Sequence, residues 1–587
     1  MTRKRHLLIL AALMGLACLV QTVVIRRATV TGLDAVRFVE IARTIDRRGI
    51  LETIRAEREQ PLFPVWVWAV HRGLQRVAGT SPSIWAVSAQ VAAAIPLVLA
   101  VAPFYLLTLR LAGRAAAVAG SVFFCVLPEV SRLGADGISD STHLLLFCVA
   151  FWSIVEYLKE RSGRRVYSPL WLLLAGVSTA AALLARTEVL LLAVALALVL
   201  VAFQLLPRRR QPCNALAAAV GCFVLGPTIV LGPYLTAVQS TTPRTALARV
   251  LGLGSPEILE ENGEKAAVGQ WHLAAGEPMS FDVKEPTVTI RRRGLGAAVV
   301  RFGRKLLDAM SYWVGALALI GSWHLRRGRK NAADRFVQVF FVLFSVAAIR
   351  FCAVEGYLVP RHLLGLVVAG TAAAGYGATE LGGWIANAWL KLRGAATIAG
   401  LVGGDSSRRL KQFSALPSAT GVASYTEAKS RLAVAPNASL ARGVSWAVVA
   451  AAAVACFPQT LIHLHHSRLG HRQAGQWLAA EAEASGRVLD TIGWTGLYSG
   501  RQTYGYENAR RALGDRRLAY VVLEQRELEF DSDRSRTLRN LMQSAAEPVG
   551  EFPPAAVRRS CQQAVVVYRW YPDRFARLTS TSPGVTR

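Results

Sequence analysis

Residues 32–68 read GLDAVRFVEIARTIDRRGILETIRAEREQPLFPVWVW and follow the first apolar span of the chain. They place a carboxylate, Asp34, within a few residues of the end of that span. The stretch continues through an amphipathic segment to QPLFP at 60–64, and then through a Trp-rich return toward the apolar region. We predict that the rest of the chain holds this loop over a cavity in a membrane.

The composition indicates a membrane protein. Of the 587 residues, 53% are hydrophobic and only 18% are charged, so an ordinary core cannot hide them. Repeated uncharged runs of about 18 or more residues are typical of membrane helices. The net charge of +29 comes largely from short Lys and Arg clusters between these runs, a positive-inside pattern that does not favour a nucleic-acid partner. No CxxC occurs, so neither a zinc site nor a disulfide framework is predicted.

We predict about eleven transmembrane helices and a location in the plasma (inner) membrane. The first, 7–25, precedes Arg26 and Arg27 without a cleavage site, so we expect an uncleaved helix with a cytoplasmic N-terminus. The other spans are predicted near 84–109, 115–131, 142–158, 169–185, 189–206, 215–238, 306–324, 336–354, 362–388 and 443–461. Every loop that this order places inside is basic, which puts the C-terminal tail outside.

Two domains are predicted. Residues 1–461 form the membrane module, with outer segments at 26–83 and 239–305 and a flexible cytoplasmic linker at 389–442. Residues 462–587 form a small extracytoplasmic α/β domain. In it we expect a helix at 476–481, strands at 487–492, 519–523 and 564–568, and a turn at 494–500. The fold class is therefore a polytopic α-helical membrane protein with a small outer α/β domain.

Charged and aromatic side chains gather at the predicted outer ends of the spans. They are Asp34, Arg37, Glu40, Arg132, Asp136, Asp140, Arg186, Glu188, Glu355, Tyr357 and Arg361. Charges at a membrane are costly, so each is a candidate functional residue. Arginines of this kind could grip a phosphate, and a carboxylate could take a proton from a hydroxyl. We predict that this set binds an anionic lipid headgroup at the outer leaflet.

Each of these residues also has a simpler interpretation. Asp34 could favour a helix dipole near a helix start. Asp136 and Asp140 could serve in turns and caps, and Arg186 and Arg361 could anchor spans at the interface. A histidine cluster follows the last span, but its spacing does not place all members on one helix face, so no metal site is predicted. Its members are His463, His465, His466 and His471.

The order of these motifs resembles that of the GT-C membrane glycosyltransferases, in the branch of protein O-mannosyltransferases and lipid A aminoarabinose transferases. DAVRFVEIAR at 34–43 and QPLFPVW at 60–66 resemble the first outer loop of that family. Arg132 with Asp136 or Asp140 resembles its second outer loop. LARTE at 184–188 resembles a Leu-x-Arg-Pro-Glu element, and YLVPRHLL at 357–364 resembles a late Arg-Tyr-Leu-Leu-Pro element.

The resemblance implies an inverting transfer of a sugar from a polyprenyl-phosphate donor to a lipid, glycan or protein acceptor outside the cytoplasm. By this analogy Asp34 is the general base, and Arg186 and Arg361 grip the donor phosphate. The other outer charged residues would contact donor or acceptor. Because the phosphate carries charge before and after transfer, we expect no required metal cofactor.

Two other classes of function fit parts of the sequence. A transporter or lipid flippase with an outer binding domain would also have many spans and charged residues. Transporters, however, tend to place charges near the midplane on broken helices related by repeats, and we find no repeat here. A membrane scaffold would explain the tail but not the cluster of acids and arginines.

Overall fold

A computed structural model of the chain describes residues 3–57, 59–160, 169–205, 212–238, 271–272, 278–279, 294–328, 331–402, 422–481 and 486–580. The membrane module is helical. Its described helices are α1 Arg3–Arg27, α2 Leu33–Arg48, α3 Ile50–Ala56, α4 Leu62–Ala78, α5 Ile84–Ala112, α6 Arg114–Val126, α7 Pro128–Asp136, α8 Asp140–Glu160, α9 Leu170–Leu183, α10 Leu190–Leu205, α11 Cys213–Val238, α12 Leu295–Met310, α13 Tyr312–Gly328, α14 Ala332–Glu355, α15 Leu364–Val402 and α16 Val422–Thr460.

Seven of the described helices are long and apolar enough to cross a membrane, or up to nine if each of two bent pairs is one span. The bent pairs are α6 with α7, at 49°, and α12 with α13, at 104°. The chain is therefore a multi-pass membrane protein, as predicted, although the count of eleven is not confirmed. Glycines let the helices of the bundle approach closely. A Cβ on Gly375 of α15, for example, would lie 2.2 Å from the Ala116 carbonyl oxygen of α6.

Two predicted connecting segments are described only in part. The linker predicted at 389–442 is helical where it is described, because α15 runs to Val402 and α16 begins at Val422. Residues 403–421 lie outside the described part. In the outer segment 239–305, the strands β1 Trp271–His272 and β2 Pro278–Met279 pair antiparallel, and α12 begins at Leu295. The remainder of that prediction lies outside the described residues.

The C-terminal domain contains a five-stranded sheet. Its strands are β3 Arg487–Asp490, β4 Thr503–Tyr504, β5 Leu518–Glu524, β6 Ala546–Phe552 and β7 Val565–Trp570. They lie in the order β4-β3-β5-β7-β6, with β3 parallel to β4 and β5, and β7 antiparallel to β5 and β6. The three predicted strands are confirmed, and the predicted helix is present as α17 Leu469–Ala480. The predicted turn at 494–500 is instead a short helix, α18 Trp494–Ser499.

Both faces of this sheet are covered. Tyr520 and Val522 of β5 pack on one side with Leu478 of α17. Val521 and Leu523 pack on the other side, against the helix Asp533–Ala545. A strand buried on both faces reads as a continuous apolar run, which explains why β5 was recognisable from its sequence.

The C-terminal domain rests directly on the first outer segment. Trp494 and Tyr498 of α18 pack with Val36 and Val39 of α2. The Trp494 indole N–H donates to the Thr31 carbonyl oxygen at 3.0 Å. The orientation of α2 is thus set by a helix more than four hundred residues later in the chain.

Arg43 adds a polar connection between the same two helices. Its guanidinium donates to the carbonyl oxygens of Gly496 (3.4 Å) and Leu497 (3.1 Å) near the C-terminal end of α18. Cations are favourable at helix C-termini, where carbonyl groups lack partners within the helix. Burial lowers the pKa of Arg43 to about 10, so the side chain remains charged at neutral pH.

We expect Arg43→Ala to destabilise the contact between the outer domain and α2 by about 1–3 kcal/mol, because buried carbonyls lose their donors. The measurement is the thermal unfolding of the full-length protein in detergent, followed by tryptophan fluorescence. Arg47→Ala is the matched control, since Arg47 lies one turn later, is exposed, and bonds only within α2, to the Arg43 carbonyl oxygen. An equal loss in both variants would contradict the assignment.

Candidate active site

A cavity of about 2040 Å³ lies between the membrane helices and the outer domain. Eight of the eleven predicted site residues line it. They are Asp34, Arg37, Glu40, Asp140, Arg186, Glu188, Tyr357 and Arg361. These residues come from four separate parts of the chain, so the convergence proposed from sequence is present in the structure. Their chemical roles remain predictions.

The amphipathic pattern of α2 aims Asp34 into this cavity. Ala35, Val36 and Val39 are buried against neighbouring helices. Asp34, Arg37 and Glu40 recur at intervals of three residues and share the opposite face. Gly32 fixes the start of the helix, because its N–H donates to the Asp136 carbonyl oxygen at 2.8 Å. A Cβ at Gly32 would lie 3.2 Å from the same oxygen, so the approach is close.

Asp34 forms an ion pair with Arg361. The Arg361 Nη1 donates to Asp34 Oδ2 at 2.5 Å. Arg361 lies on a 3₁₀ turn, Pro360–Leu363, which immediately precedes α15. Both side chains are accessible from the cavity, with 48% of Asp34 and 36% of Arg361 exposed. The pair therefore lies where a ligand could reach either partner.

Arg186 is held much more firmly than Arg361. Its Nη1 donates to Asp140, which is buried, and its Nε donates to Glu188 Oε1 at 3.0 Å. Arg186 has extended backbone geometry between α9 and the 3₁₀ turn that carries Glu188. Two carboxylates thus fix one guanidinium on both sides.

An apolar wall adjoins these charged groups. Leu190, Leu191 and Val194 of α10 line the cavity together with Phe344 and Phe351 of α14. Helices α10 and α14 pack against each other. The charged end of the cavity therefore continues into a surface that suits a hydrocarbon chain.

Three predicted site residues lie away from the cavity wall. Asp136, at the end of α7, accepts a hydrogen bond from His465 Nε2 of the outer domain at 2.8 Å. Arg132 lies on α7 and Glu355 is the last residue of α14; both are half-buried. Asp136 thus joins the membrane module to the outer domain instead of meeting Asp34.

Sequence reasoning missed the outer wall of the cavity. Asp490 ends β3 and residues 491–493 follow it, while residues 500–506 lead into and out of β4; both segments line the cavity. The carboxyl ends of parallel strands are a common place for ligands in α/β sheets. The glycines and tyrosines of these loops (Gly493, Gly500, Tyr504, Gly505 and Tyr506) were the available signal. The first outer segment also contributes Glu57, Glu59 and His71.

The histidine cluster has structural partners. His471 bonds to Glu524 at 2.9 Å, and His466 to Gln562 at 3.1 Å. Within the residues that the structure describes, no group of three or more His, Cys, Asp or Glu side chains is arranged to hold a metal ion.

Known proteins resemble this chain in sequence and in fold. A family profile described as dolichyl-phosphate-mannose-protein mannosyltransferase matches residues 58–251. No curated protein sequence matches significantly.

Three solved structures share the fold over most of the chain. ArnT from Cupriavidus metallidurans in its apo state gives a TM-score of 0.55 at 15% identity, covering 99% of each chain. The same protein bound to undecaprenyl phosphate gives 0.54 at 16% identity, covering 96% of this chain and 98% of that one. The apo oligosaccharyltransferase from Archaeoglobus fulgidus gives 0.52 at 11% identity, covering 92% of this chain and 73% of that one. These likenesses confirm the fold that the motifs predicted.

Proposed function

We propose that this chain, a membrane protein with the GT-C fold, transfers a sugar from a polyprenyl-phosphate donor to an acceptor outside the cytoplasm, with inversion at the anomeric carbon. One observation carries the proposal. A single cavity joins a carboxylate and arginines to an apolar wall on one side and to the outer domain on the other. ArnT, whose fold is similar, has been solved with undecaprenyl phosphate bound.

The donor occupies the membrane end of the cavity. The polyprenyl chain lies along the apolar wall of α10 and α14, and the phosphate meets Arg361. Arg186, which the sequence also suggested as a phosphate ligand, is engaged by Asp140 and Glu188. Its positive charge is therefore already taken up by these two carboxylates, and Arg361 is the arginine that supplies charge to the phosphate. Preorganised charge of this kind stabilises the leaving group as it forms.

Asp34 acts as the general base. The acceptor hydroxyl gives its proton to the Asp34 carboxylate, and its oxygen forms a bond to the anomeric carbon of the sugar. The bond from that carbon to the phosphate oxygen breaks on the opposite face, and polyprenyl phosphate leaves with the electron pair. The attack requires oxygen, carbon and leaving group to be held in line, which a carboxylate on the rigid helix α2 permits.

The acceptor enters from the outer domain. The cavity is larger than the ~300–1,000 Å³ typical of a site for one small ligand, so donor and acceptor fit together. The loops after β3 and β4 form its outer wall. The acceptor is a lipid, glycan or protein that reaches the membrane surface from the outer side.

The direct test is an assay of the purified full-length protein in detergent with a labelled polyprenyl-phosphate sugar. The acceptor source is the envelope fraction of a strain that lacks this chain. We expect release of free polyprenyl phosphate and covalent label in that fraction with inverted anomeric configuration. Movement of label across sealed vesicles without covalent transfer would instead indicate a transporter.

We expect the same assay to keep its rate, within about twofold, when EDTA replaces divalent cations. The physical reason is that the Arg361 guanidinium supplies the positive charge that meets the phosphate. A metal-free buffer without chelator is the control. Loss of transfer that added Mg²⁺ or Mn²⁺ restores would show that a metal ion takes part.

A further inference from the structure

Arg361 and Asp34 have functions that conflict in the geometry observed. The guanidinium that is to grip the donor phosphate bonds to the carboxylate that is to act as base, at 2.5 Å. While this N–H of Arg361 bonds to Asp34, it cannot bond to a phosphate. In the same way, the Asp34 oxygen that accepts from Arg361 is occupied by that bond and is not free to accept a proton from an acceptor hydroxyl.

We propose that the donor phosphate replaces Asp34 as the partner of Arg361. Asp34 is then released to act as the base only when the donor is bound. This inference rests on the function proposed above and adds an order to it: donor first, acceptor second. Arg361 is then a positioning residue as well as a phosphate ligand, because its choice of partner decides whether Asp34 is free.

The two arginines of the site differ in the way that this exchange requires. Arg186 is fixed by a buried Asp140 and by Glu188, so no ligand can take it without leaving a buried carboxylate unpaired. Among the residues that the structure describes, Arg361 pairs with one carboxylate, and both members of that pair are open to the cavity. Ion pairs of partly exposed groups contribute little stability, whereas a phosphate accepts two parallel bonds from one guanidinium. Exchange at Arg361 is therefore favourable.

The long side chain of Arg361 can reach a second acceptor by a change of rotamer while its backbone stays in place. Arg361 lies on a 3₁₀ turn between α14 and α15, after Gly356, which has a φ of 70° in the left-handed region. Asp34, by contrast, lies in the first turn of a helix whose buried face is fixed. We infer that Arg361 moves toward the phosphate and that Asp34 stays in place.

The test is a double-mutant cycle on donor binding, measured with undecaprenyl phosphate and the full-length protein in detergent. Arg361→Gln is expected to weaken binding about tenfold or more, because a charge-assisted contact is lost. Asp34→Asn is expected to tighten binding about fivefold, because the phosphate no longer competes with a carboxylate. In the Arg361→Gln background, Asp34→Asn is expected to change affinity by less than about twofold.

The double-mutant cycle shows whether Asp34→Asn changes affinity by releasing Arg361 or only by removing a negative charge. Charge removal alone would tighten binding equally in both backgrounds, and that result would overturn the proposal, as would an unchanged affinity of Asp34→Asn. Glu52→Gln is the control, since it removes an exposed carboxylate of the same segment that is not among the residues lining the cavity, and it should leave the affinity unchanged. Binding without coupling between Asp34 and Arg361 would refute the exchange alone. No binding by the wild-type protein would refute the proposed function as well.

Discussion

Asp34→Asn is expected to lower the rate of sugar transfer by about 10²–10⁴-fold, the usual contribution of a positioned general base. The amide keeps the size of the side chain but has neither the charge that pairs with Arg361 nor the ability to accept a proton from the acceptor hydroxyl. Because Asp34 is 48% exposed and its ion-pair partner among the described residues is an accessible arginine, the change removes little folding energy. The measurement is initial rate with saturating donor in detergent.

The comparison variant for this experiment is Glu52→Gln. Glu52 is an exposed carboxylate of α3 in the same outer segment and is not among the residues that line the cavity. We expect it to retain the wild-type rate within about twofold. Substantial transfer by a well-folded Asp34→Asn protein would remove Asp34 from the mechanism. Since the same variant should bind undecaprenyl phosphate more tightly, a simple misfolding effect would be recognised by loss of both properties.

The part of the site that sequence predicted best is the part carried by single helices and turns. Asp34 on α2, Arg186 beside Glu188, and Arg361 after Tyr357 were each recognisable because charge at the end of an apolar span is unusual. Their meeting in one cavity followed from loop sidedness. Loop sidedness did not predict the pairing of individual carboxylates and arginines. This pairing depends on distances of a few ångströms between helices that are far apart in the chain.

Asp136 and the loops of the outer domain show where sequence reasoning ended. Asp136 and Asp140 lie four residues apart in the same predicted outer loop, and the sequence did not distinguish them. In the structure Asp136 contacts His465, whereas Asp140 contacts Arg186. Helix α7 ends between them at Gly137, which has a positive φ and changes the chain direction. The wall formed by residues 490–493 and 500–506 depends on how the outer domain rests on α2, and no local pattern contains that information.

The sequence likewise predicted part of the fold. Apolar runs predicted the helices. The continuous apolar runs of β5 and β7 predicted the central strands of the outer sheet. The edge strands β4 and β6 were missed, since β4 has only two residues and β6 contains exposed Glu547 and Gly550. Helices joined by close glycine contacts, such as α15 with α6, have fewer large apolar residues than an isolated span, so the number of spans is harder to infer than their position.

Glu524→Ala is expected to destabilise the outer domain by about 3–5 kcal/mol, the cost of leaving buried charges without their partner. Glu524 ends β5 and its side chain is fully buried. It accepts hydrogen bonds from Arg468 and, at 2.5 Å, from Arg526, and it contacts His471 at 2.9 Å. His471 is itself 1% exposed. Removing the carboxylate therefore leaves the buried His471 and the mostly buried Arg468 without this acceptor.

The pKa of Glu524 gives the same experiment a second readout. Although burial alone would raise it, hydrogen bonding to His471 and the nearby arginines lower the pKa of Glu524 to about 2 from its ordinary 4.5. A carboxyl with a lowered pKa stabilises the folded state above its unfolded pKa, and this stabilisation is lost as pH falls from about 4.5 toward 2. The wild-type domain should lose stability over that range, whereas Glu524→Ala should lack this component.

Hydrogen exchange of the β5 amides in the full-length protein measures both effects, because core strands exchange through opening of the whole unit. A loss of 3–5 kcal/mol corresponds to exchange about 10²–10³-fold faster or more. Glu547→Ala is the matched control: Glu547 pairs with Arg574 at 2.8 Å, but both are largely exposed, so its loss should cost less than about 1 kcal/mol. If the two variants exchanged alike, the buried cluster around Glu524 would not be what holds the outer domain together. Transfer activity in Glu524→Ala should then follow the folded fraction of the domain, since the cavity has its outer wall only while β3 and β4 are in place.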